Sequence, residues 1–202
     1  MIHRRWPLFI SLTLWVSLLS GCAELAFLTR DPQSEWSDRQ AALSSISHWE
    51  ARGRVGLRLS DDSSTANLRW RQMEADFDIL LSGPLGQGVG RLEGRPGAVL
   101  YRSAKGETVR AASAEALMNE QLGWQLPVSG LRYWLTGQPT PTSPIDRLEI
   151  DDQGRLSRLK QLGWEVEYLR YDETRHPEMP TSVRLTRPGV RGKFLLNDWT
   201  VQ

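Results

Sequence analysis

From Trp49 onward the chain alternates apolar and polar residues with a period of two, and this restricts its fold more than any other feature. Trp49, Ala51, Gly53, Val55, Leu57 and Leu59 interleave with Glu50, Arg52, Arg54 and Arg58. Only an extended strand puts the first set on one dry face and the second in water. The pattern returns at Ala66, Leu68 and Trp70, and again at Phe77, Ile79 and Leu81. Shorter strands are predicted at Val89 to Leu92, Ala98 to Tyr101 and Glu107 to Ala111. Others follow at Ile145 to Ile150, Arg155 to Leu162, Trp164 to Tyr171, Val183 to Thr186 and Lys193 to Val201. Turn formers separate them, among them Asp61-Asp62-Ser63-Ser64, Lys105-Gly106 and Asp151 to Gly154. Strands joined by such short turns pair antiparallel; a parallel sheet would need a helical crossover between each pair.

Three segments switch to helical spacing. In the first, Trp36, Leu43 and Ile46 share a face, leaving Ser34, Asp38 and Arg39 to water. The second is capped by Ser113, carries Glu115 at its positive end and is closed by Gly123. Leu117, Met118, Gln121 and Leu122 mark its inner side. The third runs from Val128 to Thr136, with Leu131, Trp134 and Leu135 at i, i+3 and i+4, and Gly137 ends it. Pro139, Pro141 and Pro144 make Gln138 to Pro144 an extended loop, and His176 to Pro180 reads as irregular. The expected fold is mainly β with α: an antiparallel sheet with a few helices laid across it.

The first residues have a different purpose. Arg4 and Arg5 precede an apolar run from Leu8 to Leu19, and Leu19-Ser20-Gly21-Cys22 follows. The run is short of the roughly 20 apolar residues that span a bilayer. Small residues before a cysteine form a secretory processing site. Cys22 is the only cysteine, so it has no internal disulfide partner. Residues 1–21 are therefore expected to be a removed lipoprotein signal peptide, with Cys22 lipidated, 22–30 a lipid-anchored tether and 31–202 a single domain. An Asp after the lipidated cysteine is the usual signal for inner-membrane retention. Ala23 stands there instead, so the expected address is the periplasmic face of the outer membrane.

Composition excludes several classes of function. Twenty-five basic against 24 acidic residues, with interspersed signs, leave no footprint for nucleic acid and no polybasic stretch for acidic lipid heads. No Gly-x-Ser-x-Gly elbow occurs, and neither His48 nor His176 sits in a catalytic motif. No Cys pair, His-x-x-x-His or clustered acidic loop has metal-ligand spacing. Gly86-Gln87-Gly88-Val89-Gly90 lies between strands, with no helix N-terminus to complete a phosphate loop. Neither an enzyme nor a bound cofactor or metal is expected.

Large apolar groups are what remains. Trp36, Trp49, Trp70, Trp124, Trp134, Trp164 and Trp199 follow the leader. Such residues either fill a core or wall a cavity, and sequence alone does not separate the two. The motifs add to this. Trp49-Glu50-Ala51-Arg52-Gly53-Arg54-Val55 opens the domain and Gly83-Pro84-Leu85-Gly86 follows. Then come Leu126-Pro127-Val128-Ser129-Gly130-Leu131-Arg132-Tyr133-Trp134-Leu135-Thr136-Gly137, Trp164 and Asp198-Trp199. In that order, behind a lipobox, they closely resemble the LolB family of outer-membrane lipoprotein receptors, over essentially the whole mature chain. The segment from 126 to 137 is the most specific part.

The resemblance implies an unclosed antiparallel β-barrel, a half-barrel, covered by helices and enclosing a hydrophobic cavity. It also implies a role: accepting lipoproteins from a LolA-like periplasmic carrier and inserting them into the inner leaflet of the outer membrane. The partners would be that carrier, acylated lipoprotein cargo and outer-membrane phospholipid, with the chain acting as a monomer. Leu131, Trp134 and Leu135 are then expected to meet acyl chains, with Leu117 and Met118 beside them and Trp70, Phe77, Ile79 and Leu81 on the strands. Leu85 is expected to project from its Gly/Pro turn as a membrane-insertion residue, the alternative being that it folds back over the barrel rim. Two rival functions stay open: a generic lipid- or glycolipid-binding lipoprotein, and a structural outer-membrane lipoprotein with a solid core.

Overall fold

Each alternating segment folds as a strand, and strands pair with their neighbours in sequence. The structure, a computed structural model, describes residues 31–59, 62–83 and 88–202; Cys22 and Leu85 lie outside them. Helix α1 (Pro32–Ser44) precedes β1 (His48–Leu59), β2 (Ser63–Met73), β3 (Asp76–Ser82), β4 (Gly88–Arg95), β5 (Ala98–Ser103) and β6 (Thr108–Ala111). Helices α2 (Ala114–Leu122) and α3 (Val128–Trp134) come next. The chain ends with β7 (Ile145–Ile150), β8 (Leu156–Gln161), β9 (Trp164–Asp172), β10 (Met179–Arg187) and β11 (Val190–Val201).

One antiparallel sheet holds all the described strands in the order β6-β5-β4-β3-β2-β1-β11-β10-β9-β8-β7. Two meanders meet at a central seam, where β1 pairs with β11 from Trp49↔Val201 to Leu59↔Val190. β6 and β7 form the two edges and do not pair, so the barrel is open. This topology fixes where the helices go. The segment holding α2 and α3 starts from one edge and must reach the other. Its apolar sides are buried in the same core as the inward residues of the sheet, so it crosses the inner face. At the seam a bulge between Arg52 and Gly53 requires glycine, because a Cβ on Gly53 would lie 1.8 Å from the Leu195 carbonyl oxygen.

Several expectations are corrected. Met179 and Pro180 belong to β10, not to an irregular segment. β11 pairs with β10 only from Ser182 on, and a bulge follows Pro180, so a residue without an N–H is tolerated there. β11 begins at Val190 rather than Lys193, and α3 ends at Trp134 rather than Thr136. Gln121 is exposed instead of facing inward.

Arg39, expected in water, is 9% exposed. It donates to the Glu178 carbonyl oxygen, stands 3.7 Å from the Glu178 carboxylate and lies 5.1 Å from the centre of the Tyr171 ring. Arg155 approaches the same ring at 4.9 Å while bridging Asp151, Glu173 and Glu178. This cluster fastens α1 to β9 and β10. Gly154 permits the close approach, since a Cβ there would meet Glu35 Cβ at 2.5 Å.

Candidate acyl-chain site

The second helix forms where its caps put it. The Ser113 hydroxyl accepts from the Ala116 N–H at 3.2 Å, and Gly123, at φ +67°, closes the helix with its N–H on the Asn119 carbonyl. The third helix starts after Pro127, whose side chain cannot cap it. Glu115 supplies the missing acceptor from outside: its carboxylate takes the Ser129 N–H at 2.7 Å. The acid expected to suit the start of α2 thus also ties α2 to the start of α3.

At its other end α3 is held by buried polar side chains. Trp134 is completely buried; its indole N–H donates to Gln161 Oε1 at 3.0 Å, and its carbonyl accepts from the Tyr168 hydroxyl at 3.0 Å. Gln161 Oε1 also accepts from Thr140 N at 2.9 Å, while Nε2 donates to the Thr140 and Ser143 carbonyls at 2.8 Å each. One buried amide therefore organises both the end of α3 and the proline-rich connection to β7. Burial pushes the Tyr168 phenol well above its ordinary pKa, so it remains a hydrogen-bond donor. Sequence reasoning missed Gln161 and Tyr168. The available signal was a polar residue at the inward position of an alternating strand, two beyond Leu159.

Between these anchored ends the inner face has a different texture. Trp49 stands between Trp70 and Trp199, with ring centres 5.6 and 5.4 Å apart, at the floor of the seam. The Trp70 indole donates to Gln72, a second buried glutamine, at 3.0 Å. Above Trp70 a cavity of about 240 Å³ opens under the α2–α3 junction, walled by Trp70, Phe77, Val99 and Val128, with Glu115 and Arg132 at its mouth. A wider hollow of about 720 Å³ lies on the other side of α3, bordered by Leu43, Ile46, Trp49, Tyr133, Pro139 and Ile145. Gln72 and Arg132 border both. Arg132 is half-buried and stacks on Tyr133 with its guanidinium 4.5 Å from the ring centre.

The candidate acyl-contacting residues fall into one cluster. Leu117, Met118, Leu131, Trp134, Leu135, Trp70, Ile79 and Leu81 are all buried in it, and Phe77 is half-buried against it. Of the nine, Trp70 and Phe77 border the small cavity. The rest pack helix against sheet.

The profile of a family described as "Outer membrane lipoprotein LolB" matches residues 47–199. The chain is 39% identical over 197 residues to the outer-membrane lipoprotein LolB of Nitrosococcus oceani, covering 96% of this chain and 98% of that one. It is 41% identical over 188 residues to its Pseudomonas aeruginosa counterpart, covering 91% of each. Among solved structures, a domain from Vibrio parahaemolyticus described as outer membrane lipoprotein-sorting superposes with a TM-score of 0.55 at 11% identity, covering 84% of this chain and 92% of that one. A LolA superfamily protein from Nitrosomonas europaea gives 0.50 at 7% identity, covering 86% and 94%. At such low identity these two speak for the open-barrel fold alone.

Proposed function

Because this chain belongs to the LolB family of outer-membrane lipoproteins, we propose that it takes acylated lipoproteins from a LolA-like soluble carrier and delivers them to the inner leaflet of the outer membrane. The observation that carries this reading is the apolar cavity of about 240 Å³ between the α2–α3 junction and the tryptophan-lined sheet. Each methylene of an acyl chain costs about 0.8 kcal/mol to expose to water. A receiving cavity is therefore favoured over water, and the bilayer interior over the cavity. Transfer from carrier to receiver to membrane can run downhill with no other energy source.

The cavity as it stands is below the roughly 300–1,000 Å³ of ordinary ligand pockets. In this reading α2 and the start of α3 lift away from β2, β3 and β5 to admit cargo. The end of α3 stays fixed to β8 and β9 through Gln161 and Tyr168. Phe77 and Trp70 meet the acyl chain first, and Leu117, Met118, Leu131, Trp134, Leu135, Ile79 and Leu81 are uncovered as the helices rise. Among the described residues no helix is long and apolar enough to cross a membrane. Lipid on Cys22, after removal of residues 1–21, would hold the domain at the periplasmic face of the membrane through the tether 22–30. Leu85 would enter the bilayer during delivery.

Photo-crosslinkers at the nine positions, followed by incubation with cargo-loaded carrier, test the site. Phe77 and Trp70 are expected to trap cargo most strongly, and crosslinks confined to outward residues such as Arg184 would overturn it. A hydrophobic dye displaced by cargo excludes the solid-core alternative. Leu85→Glu is expected to leave uptake from the carrier intact and sharply slow transfer into liposomes; normal delivery by this variant would remove Leu85 from the mechanism.

A further inference from the structure

The register of the sheet gathers on its outer face a group of charges that no stretch of sequence contains. Near the end where β1, β8 and β10 finish, one row crosses the strands as Lys160, Glu165, Thr186, Arg191, Arg58 and Ser63, each the partner of the next. The adjacent row reads Arg158, Glu167, Arg184, Lys193, Gly56 and Thr65. These two rows hold six cations and two carboxylates. Both carboxylates are already engaged: Glu165 by Arg158 at 3.4 Å, and Glu167 by Arg158 at 3.2 Å and Arg184 at 2.6 Å. Asp62, in the adjoining turn, directs its carboxylate to the Ser63 N–H.

Arg58 and Arg191 are directly opposed across the seam, both exposed, and among the described residues neither forms an ion pair. Like charges directly opposite each other on a sheet are destabilising. Elsewhere on this sheet the same conflict is relieved: Arg91 and Arg102, also partners across strands, share Glu93 at 3.3 and 3.9 Å. Beside this pair lies a depression of about 570 Å³ whose charged border is Arg58, Arg191, Lys160, Arg187 and Glu165. Leu162, in the turn between β8 and β9 at this end, is 48% exposed.

We propose that this end of the outer sheet face is a docking surface for anionic phospholipid, with bilayer phosphates providing counter-charge to Arg58 and Arg191. The proposal rests on the delivery of cargo to a bilayer argued above, and adds the surface that orients the barrel for it. A cationic rim beside the exposed Leu162 suits an interface that has phosphates at its surface and hydrocarbon beneath. Each Lys or Arg held near an anionic membrane strengthens binding about fivefold, so two arginines together contribute about 25-fold.

The test uses the chain carrying C22A, so that acylation does not mask surface binding, with vesicles of phosphatidylcholine alone or containing phosphatidylglycerol. Binding is expected to be tighter to the phosphatidylglycerol vesicles and to weaken as salt is raised. R58Q/R191Q is expected to lose about 25-fold on those vesicles and nothing on phosphatidylcholine. R52Q/R71Q, the same charge change at the opposite end, is expected to bind as the parent does. Both pairs are outward on strands, and thermal melts establish that the variants fold. Equal binding by R58Q/R191Q and its parent would overturn the proposal. So would slower uptake from the carrier without vesicles, with vesicle binding unchanged, because the surface would then belong to an acidic protein. If the parent fails to accept cargo yet shows arginine-dependent vesicle binding, the docking surface stands and the delivery function falls.

Discussion

The two ends of α3 meet the same sheet on different terms. At its C-terminal end, Trp134, Gln161, Tyr168 and Thr140 form a buried network in which the indole and both ends of the amide have partners. At its N-terminal end one exposed hydrogen bond, from Ser129 to Glu115, joins it to α2, and a cavity separates both from Trp70 and Phe77. Buried networks with every member satisfied are costly to open, whereas apolar contacts around a void have few partners to lose. The difference teaches where a half-barrel can open without unfolding: over β2, β3 and β5, with β8 and β9 as the fixed side.

Removing the centre of the fixed side should have the largest effect. Trp134→Ala is expected to cost about 3–5 kcal/mol in denaturant unfolding; a loss below about 1 kcal/mol would mean that the C-terminal end of α3 is not an anchor. Gln161→Leu preserves apolar bulk but leaves the Trp134 indole and the Thr140 N–H without an acceptor. At about 1–3 kcal/mol for each buried unsatisfied group, a loss of about 2–6 kcal/mol is expected by the same measurement. A neutral result would transfer the anchoring to Tyr168. Glu115→Ala sharpens the comparison from the loose side. It should cost only about 1 kcal/mol, as loss of a helix cap does, yet speed the uptake of a hydrophobic dye. Unchanged uptake would place the opening elsewhere.

Acid provides the mildest probe. Asp78 on β3 receives two hydrogen bonds from Arg91 on β4, at 2.8 and 2.7 Å, and these hold its pKa below the ordinary carboxylate value, with Arg69 and Arg71 assisting. A depressed folded pKa contributes stability that is present at neutral pH and lost as the pH falls through it, in the range below about 4. The Gln161 network contains no carboxylate. Protection from hydrogen exchange, taken relative to the intrinsic rate at each pH, is therefore expected to fall at β3 and β4 on acidification before it falls at β8 and β9, and Asp78→Asn should abolish that order.

Much of this architecture was legible in the sequence. Alternation found the strands because half-burial and a period of two are the same fact, and Ser113 and Gly123 marked α2 because orphan helix-end groups need those residue types. The open barrel and the candidate acyl residues came from resemblance to a family, since a wall of Leu and Trp reads the same whether it faces a void or a core. What escaped depends on position in three dimensions. Arg39 reads as a solvated helix residue until Tyr171 and Glu178 approach it. Gln161 reads as the end of a strand until the proline-rich connection folds over it. The outer cations are scattered from Arg58 to Lys193 and become neighbours only through strand register.

The seam between β1 and β11 bears on how the molecule is assembled. Each meander consists of hairpins whose strands are close in sequence, so each can begin to form from its own residues. The seam joins Trp49 to Val201, across nearly the whole domain, and closing so long a loop is the entropically expensive step. A chain emerging on the far side of a membrane with its N-terminal part first could thus build β1 to β6 early and still leave β1 as a bare edge until the last dozen residues arrive. Lifetime in that half-built state, with β1 ready to pair with any other extended chain, is set by how quickly β11 reaches it.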